Sequence, residues 1–413
     1  MSTHTFLLIH NAVSSAALTS HLLSGDFPDF HYLKKKKVAV FSTGHLQHFI
    51  EEEERHDRKL LTAGTSQSLR SMSSGERKKA LLKYILQSAP EVIILSNPLD
   101  NMDHASQQGF KKTFQELSAS LQFIQIGTRA IDAFSFITTY YSFTVEGLGK
   151  HLDREALFAA HKTYSPQKIG EIPPPIAPNL PESKVLIEMN SVSVQFGTKP
   201  VLKNITWKIQ LGEFWQLKGP NGSGKSTLLN LITGDSHKGY GQDLSLFGRK
   251  KGSGESVWDL KEHIGYFSPA MIDQFKGYHT LENMLISGLY DSVGLYHSPS
   301  DVERRLAEKW LGILGLTAKR SSYFKTLSEG EKRLVMTARA MIKHPPLLLL
   351  DEPTIGLDDT SAAFFVALVN SYAVQSTSAI VFVSHREEPG LHPHFIYALH
   401  PTLEGAEGKI ASA

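Results

Sequence analysis

The stretch "GPNGSGKST", Gly219 to Thr227, decides the fold. It satisfies the pattern G-x-x-x-x-G-K-[ST], follows the strand-like "FWQLK" and opens the helical "LLNLIT". Gly219, Gly222 and Gly224, with Pro220, Asn221 and Ser223 between them, let successive backbone N–H groups turn inward around phosphate oxygens. They do so at a helix N-terminus, whose dipole favours anions. On this reading Lys225 bridges the β- and γ-phosphates of a nucleotide, the Ser226 hydroxyl ligates Mg²⁺, and Thr227 completes the pattern. With glycine near 7% of residues, the bare pattern arises by chance in roughly one to two chains per hundred of this length, so an idle glycine-rich turn is a small alternative.

Further along, "LLLLDEPT" (347–354) is a buried-strand run that ends in two carboxylates. There Asp351 is suited to orient Mg²⁺ and Glu352 to polarise an attacking water. Thirty-four positions after Asp351, "IVFVSHREE" sets His385 at the end of another apolar strand, the place for a γ-phosphate sensor.

The chain also repeats itself. "HNAVSSAALTSHLLSGD" (10–26) aligns without gaps on "GPNGSGKSTLLNLITGD" (219–235). Gly75 to Ser96 and Gly330 to Asp351 are both 21 positions, and Ser96 to Asp103 and Asp351 to Asp358 are both 7. Equal spacings predict one α/β fold, duplicated, each copy alternating strands and helices around a mostly parallel sheet. The boundary is "GEIPPPIAPNLPESK" (170–184), with five prolines in fifteen residues. Proline fixes φ and lacks an N–H, which predicts an extended, semi-rigid spacer reaching on the order of 40 Å. The expected organisation is a degenerate domain at 1–168, the linker at 169–184 and an intact domain at 185–413.

Taken in order, "GPNGSGKST", "LSEGE" (327–331), "LLLLDE", "GLD" (356–358) and His385 resemble the Walker A, signature, Walker B, D-loop and switch motifs of ABC-type ATPases. The set covers nearly all of residues 185–400. The resemblance implies two P-loop NTPase domains, each with a helical subdomain, and implies that Phe196 stacks on adenine; the bland alternative for Phe196 is packing of the β-subdomain. One departure stands out: Pro269 in "IGYFSP" (264–269) occupies the usual place of the Q-loop glutamine, with Gln274 as a substitute. "DLSLFGRKKGSGESVWDLKEHIGY" (243–266) and the tandem layout are similar to ModF-type proteins, associated with molybdenum transport or photorepair. For the Arg249–Lys251 triplet the default reading is a solvated turn.

The first copy keeps the landmarks with their chemistry removed. Ala16 and Ala17 stand at the lysine and serine positions, and His10, Val13 and Ser15 replace the cradle glycines. Ser96 and Asn97 replace Asp351 and Glu352, and Thr128 stands at the switch position. Only nine residues precede His10, whereas 34 positions separate Val185 from Gly219, so the β-subdomain is expected to be missing from the first copy. "MSSGE" (72–76) is nevertheless retained. It reads as a serine helix cap. In ABC dimers, however, each ATP lies between the Walker motifs of one domain and the signature of the other. The resemblance therefore implies one competent composite site, in which Ser73 and Gly75 complete the pocket of Lys225.

Composition narrows the setting. Lys plus Arg (43) nearly balance Asp plus Glu (41), which gives no whole-chain argument for nucleic acid or anionic lipid. Zero cysteines exclude disulfides and thiolate metal sites. No apolar run is long enough to span a bilayer, so the expectation is a cytoplasmic protein, peripheral at the inner membrane face if it serves a separate permease. "HLQHFIEEEERH" (45–56) and "KKKK" (34–37) read as a solvated helix and a surface run. The function implied is a MgATP hydrolase that drives opening and closing of its two halves or of a homodimer. The alternative is a low-turnover, nucleotide-gated regulatory or repair adaptor.

Overall fold

The computed structural model describes residues 3–9, 13–56, 58–62, 67–100, 102, 104–144, 147–161, 169–178, 180–275, 277–384 and 388–412. The chain forms two compact units, Met1–Ser165 with Ile355–Ser361, and Pro166–Thr354 with Ala362–Ala413.

In the first unit the strands are β1 (Thr5–Ile9), β2 (Val38–Phe41), β3 (Val92–Ser96), β4 (Gln122–Gly127), β5 (Thr139–Thr144) and β6 (Gly147–His151). They lie in the order β2-β3-β4-β1-β5-β6, parallel except for the β5–β6 pair. The helices are α1 (Ser15–Ser24), α2 (Thr43–His56), α3 (Ser74–Gln87), α4 (His104–Leu117) and α5 (Arg154–His161). "VIILS" of β3 is buried at every position, as a central parallel strand covered on both faces requires. One core of Phe6, Phe41, Phe110, Phe114 and Phe123 lies on one side of the sheet, and a second, of Leu7, Leu18, Leu22 and Ile94, on the other.

The second unit repeats this order. Its strands are β7 (Val185–Phe196), β8 (Lys199–Gln210), β9 (Phe214–Lys218), β10 (Leu244–Leu246), β11 (Arg249–Lys250), β12 (Ile264–Phe267), β13 (Leu347–Asp351), β14 (Ala379–Val383), β15 (Phe395–His400) and β16 (Glu407–Ser412). The main sheet runs β12-β13-β14-β9-β15-β16, position for position the order of the first unit. An antiparallel sheet, β11-β10-β7-β8, is added; among the described residues the first unit has no counterpart of it. The helices are α6 (Lys225–Ile232), α7 (Val257–Glu262), α8 (Leu281–Ile286), α9 (Asp301–Ile313), α10 (Glu329–Met341) and α11 (Asp359–Gln375). Between β12 and α10 the second unit inserts α8, α9 and several short turns, whereas between β2 and α3 the first unit has α2 and one turn. Among the described residues the helical subdomain of the first unit is therefore the smaller.

The duplication reaches backbone detail. Asn97 and Glu352 both adopt left-handed φ, +43° and +48°, and so do Ala89 and His344, +46° and +49°. Asn97 N–H donates to Ile126 O at 2.9 Å, and Glu352 N–H to Val383 O at 3.0 Å. Lys78 donates to Pro98 O at 3.0 Å, and Arg333 to the equivalent Pro353 O at 3.3 Å.

Two further facts bear on these expectations. The proline segment is anchored over its first part. Ile172 is buried, its N–H donates to the Gln375 side chain at 2.8 Å, and Pro173 O bonds the His344 ring at 2.8 Å, all within the second unit. An apolar side chain amid prolines gains by burial, and these bonds satisfy the backbone groups it brings along.

The basic triplet is not wholly solvated. Arg249 and Lys250 are exposed, but the Lys251 side chain is 1% exposed, 3.2 Å from Glu255, and its ammonium faces the Tyr240 ring at 5.1 Å. Burial pushes the Glu255 carboxyl up, but the Gly252 N–H, its own N–H and Lys251 more than offset this and hold it at about 2. Because the folded value lies below the unfolded one, this stabilisation is present above pH ~4.5 and is lost as pH falls toward 2. Glu255→Gln should therefore destabilise the neutral protein by about 3 kcal/mol. Denaturant unfolding of wild type and variant across pH 2–7 checks this: the gap should close with acidification.

Candidate functional site

The phosphate loop lies between the end of β9 and the start of α6. Gly224 takes φ +89° at the helix cap, where a Cβ would meet Leu202 Cδ2 at 2.6 Å; a Cβ on Gly219 would meet Ser223 Oγ at 2.5 Å. Side chains at these two positions would force their neighbours to shift. Lys225 folds back into the loop, donating to Gly219 O at 2.6 Å and Pro220 O at 3.0 Å. The Ser223 hydroxyl is buried with no hydrogen-bond partner among the described residues, an uncompensated group that a phosphate oxygen would satisfy. Backbone donors at a helix start suit the phosphates of a nucleotide.

Asp351 ends β13 and Glu352 follows it. Burial and the neighbouring Glu352 carboxylate raise Asp351 to about 6, while Lys225 and Tyr266 pull the other way. Tyr266, on β12 beside β13, is itself pushed up to about 12, first by burial and then by the Asp351 charge. The sequence reading missed Tyr266; the place of β12 at the β13 edge is a tertiary fact. Two strand-end carboxylates supply the hard oxygen donors that a divalent cation takes, and Ser226, in the first turn of α6, carries a hydroxyl of the same kind. Phe196 ends β7, 48% exposed, with the Lys238 ammonium 5.8 Å from its ring centre. Pro269 opens a short 3₁₀ turn, Pro269–Gln274, at whose end Gln274 is exposed. His385 lies outside the described residues, as do His10 and Asp103 of the first copy.

At the equivalent place in the first unit, α1 begins one residue earlier, and its N-cap Ser14 accepts the Ala17 N–H at 3.3 Å. A helix-start amide that would face a phosphate is thus already bonded, and no lysine is there. The signature helices, by contrast, match. Ser73 caps α3 and Ser328 caps α10, each in a reciprocal box with a glutamate: Glu76 Oε2 accepts from Ser73 N at 2.8 Å, and Glu331 Oε2 from Ser328 N at 3.0 Å.

A phosphate loop, two strand-end carboxylates and a serine-capped signature helix on a twice-built parallel sheet define an ABC-type ATPase. The ABC transporter family model matches residues 202–355, and the chain belongs to the ABC transporter ATP-binding family that includes ModF. It is 36% identical over 340 residues to "ABC transporter ATP-binding protein ModF" of Escherichia coli, covering 79% of this chain and 69% of that one. The chain also resembles "Zinc uptake system ATP-binding protein ZurA" of Listeria innocua, 32% identical over 200 residues, 48% of this chain and 76% of the relative. An archaeal ribosome recycling factor, solved with a ribosomal stalk protein, shares the fold at TM-score 0.62 and 13% identity, over 98% of this chain and 85% of its own. No described helix is long and apolar enough to cross a membrane.

Proposed function

We propose that the chain hydrolyses MgATP at one competent site, with Walker residues from its C-terminal half and the signature "MSSGE" from its N-terminal half. The observation that carries this is the contrast between the two cradles. The second unit has Lys225, the orphaned Ser223 hydroxyl and the glycines of 219–224, whereas the first has Ala16, Ala17 and a helix start already capped by Ser14. In this reading Lys225 and the loop amides hold the phosphates, Glu352 orients water, His385 senses the γ-phosphate and Phe196 stacks on the base. Ser226 and Asp351 hold Mg²⁺, which when bound supplies neutralisation of phosphate charge. Loss of γ-phosphate removes contacts that only the closed state makes, and this difference drives the switch. The companion half is supplied by the same chain, with a homodimer as the rival. Calorimetry should find one MgATP per chain, and Lys225→Ala should weaken it at least about 30-fold, as loss of one member of a desolvated charge pair does. Two tight sites, or binding that survives Lys225→Ala, would refute the reading.

The relative's description as an ABC transporter ATP-binding protein supports a place beside a membrane permease; molybdate is the candidate cargo from the ModF-type resemblance of the sequence alone. One observation favours a second reading, a nucleotide-gated regulatory or repair adaptor working without a permease. Pro269 opens the 3₁₀ turn at the Q-loop position and lacks the amide that couples ATP sites to permeases in this family. Affinity capture with ATP-locked protein separates the two: a membrane subunit supports the transporter.

A further inference from the structure

The first unit includes Ile355–Ser361, a segment that follows Glu352 by three residues. Two consecutive residues hold it. Arg129, 4% exposed, donates from Nε to Leu357 O at 3.1 Å in a buried bond. Ala130 N–H donates to Asp359 Oδ2 at 2.7 Å. Leu357 is fully buried, and Asp358 Oδ1 accepts the Ser361 N–H at 2.7 Å, which starts α11. Burial pushes the Asp359 carboxyl up, against the pull of the Ala130 N–H and the Arg129 charge, so this contact is removed from water. On its other side the loop meets "DEP", where Arg333 fixes Pro353 O at 3.3 Å. The segment from Pro353 to Asp359 thus carries a bond at carbonyls 353 and 357 and at carboxylate 359. Arg129 itself stands one residue beyond Thr128, the position where the first copy lost its switch histidine.

We infer that Arg129 is a positioning residue for ATP hydrolysis: its buried bond to Leu357 O, with the Ala130–Asp359 bond, fixes the loop after Glu352 so that the carboxylate meets the water at one angle. This gives the degenerate half a second task beyond presenting "MSSGE". The inference rests on the reading of Glu352 as the water-orienting group. A charged guanidinium is suited to the role because it stays protonated and presents a rigid planar donor to a buried carbonyl. ATP affinity should be indifferent to Arg129, since the phosphates are held by the 219–227 loop.

The test uses the full chain. Arg129→Ala and Arg129→Lys are compared with wild type for turnover, for MgATP affinity by calorimetry, and for hydrogen exchange of peptides spanning 353–361 without nucleotide, after circular dichroism shows the fold intact. Arg129→Ala should lower kcat on the order of 10–100-fold, the range for a lost buried bond to a charged group, with affinity within about twofold. Exchange across 355–361 should accelerate by a similar factor. Arg129→Lys, which keeps a cation and a donor, should recover part of both. Wild-type turnover in Arg129→Ala overturns the inference, and so does lost turnover with unchanged exchange at 355–361. Full activity in Glu352→Gln would instead remove the underlying reading while leaving the exchange result standing.

Discussion

Gly75→Asp should abolish ATP turnover while leaving nucleotide affinity near wild type, and Gly330→Asp should cost far less. Both glycines are buried in the first turn of a serine-capped helix, and the caps are chemically the same. The caps themselves therefore give no reason for different outcomes. On the proposed function the asymmetry would come from what each signature meets across an ATP sandwich: "MSSGE" the intact cradle of Lys225, and "LSEGE" the one with Ala16 and Ala17. A side chain and a negative charge at position 75 would stand against the γ-phosphate, and losing a preorganised donor of this kind costs on the order of 10²–10³ in turnover. A Cβ at Gly75 already comes within 3.0 Å of Ser106 Oγ, a side chain able to shift by a few tenths of an ångström, so Gly75→Ala serves as the steric control. Turnover and affinity of all three variants, with circular dichroism to confirm folding, decide the matter. If Gly330→Asp is the damaging change, the sandwich forms between two chains and Ser73 is only a helix cap.

Glu352→Gln should bind MgATP as wild type does, turn it over roughly 10²–10³-fold more slowly and accumulate the ATP-bound state. Glutamine keeps the size and left-handed turn of the residue but cannot accept a proton from water. Asp351, the other carboxylate at the strand end, is raised to about 6 in the absence of nucleotide by burial and by Glu352 itself. Removing the Glu352 charge should ease that pressure, leaving Asp351 more readily ionised. Single-turnover kinetics and the mass of the ATP-bound protein test both parts: near-normal turnover removes Glu352 from the role, and an ATP-dependent doubling of mass favours pairing of two chains.

Much of this architecture is legible in local sequence because the signals are local. The loop at 219–227 needs its glycines, "VIILS" and "LLLL" can hardly be anything but buried strands, and equal spacings from signature to strand end announce the duplication. The settled arrangement of the proline segment was hidden because it depends on Gln375 and His344, each roughly two hundred or one hundred and seventy positions away. Tyr266 was hidden for the same reason, and the Lys251–Glu255 pair because a basic triplet at a turn normally faces water. Arg129 looked like an ordinary residue after a degenerate motif, since its partner lies 228 positions downstream.

The matched left-handed turns at Asn97 and Glu352 differ in what they cost to hold. Asparagine visits that backbone region readily, whereas glutamate held there carries strain of order 1 kcal/mol or more. Asn97 therefore holds this turn at lower conformational cost than Glu352 does. The substitution Asn97→Glu would add the strain before any chemistry could reward it, with no lysine at position 16 to hold a substrate. On the proposed function, the half with the strained residue carries the reaction, and the half with Asn97 keeps the same turn without that strain.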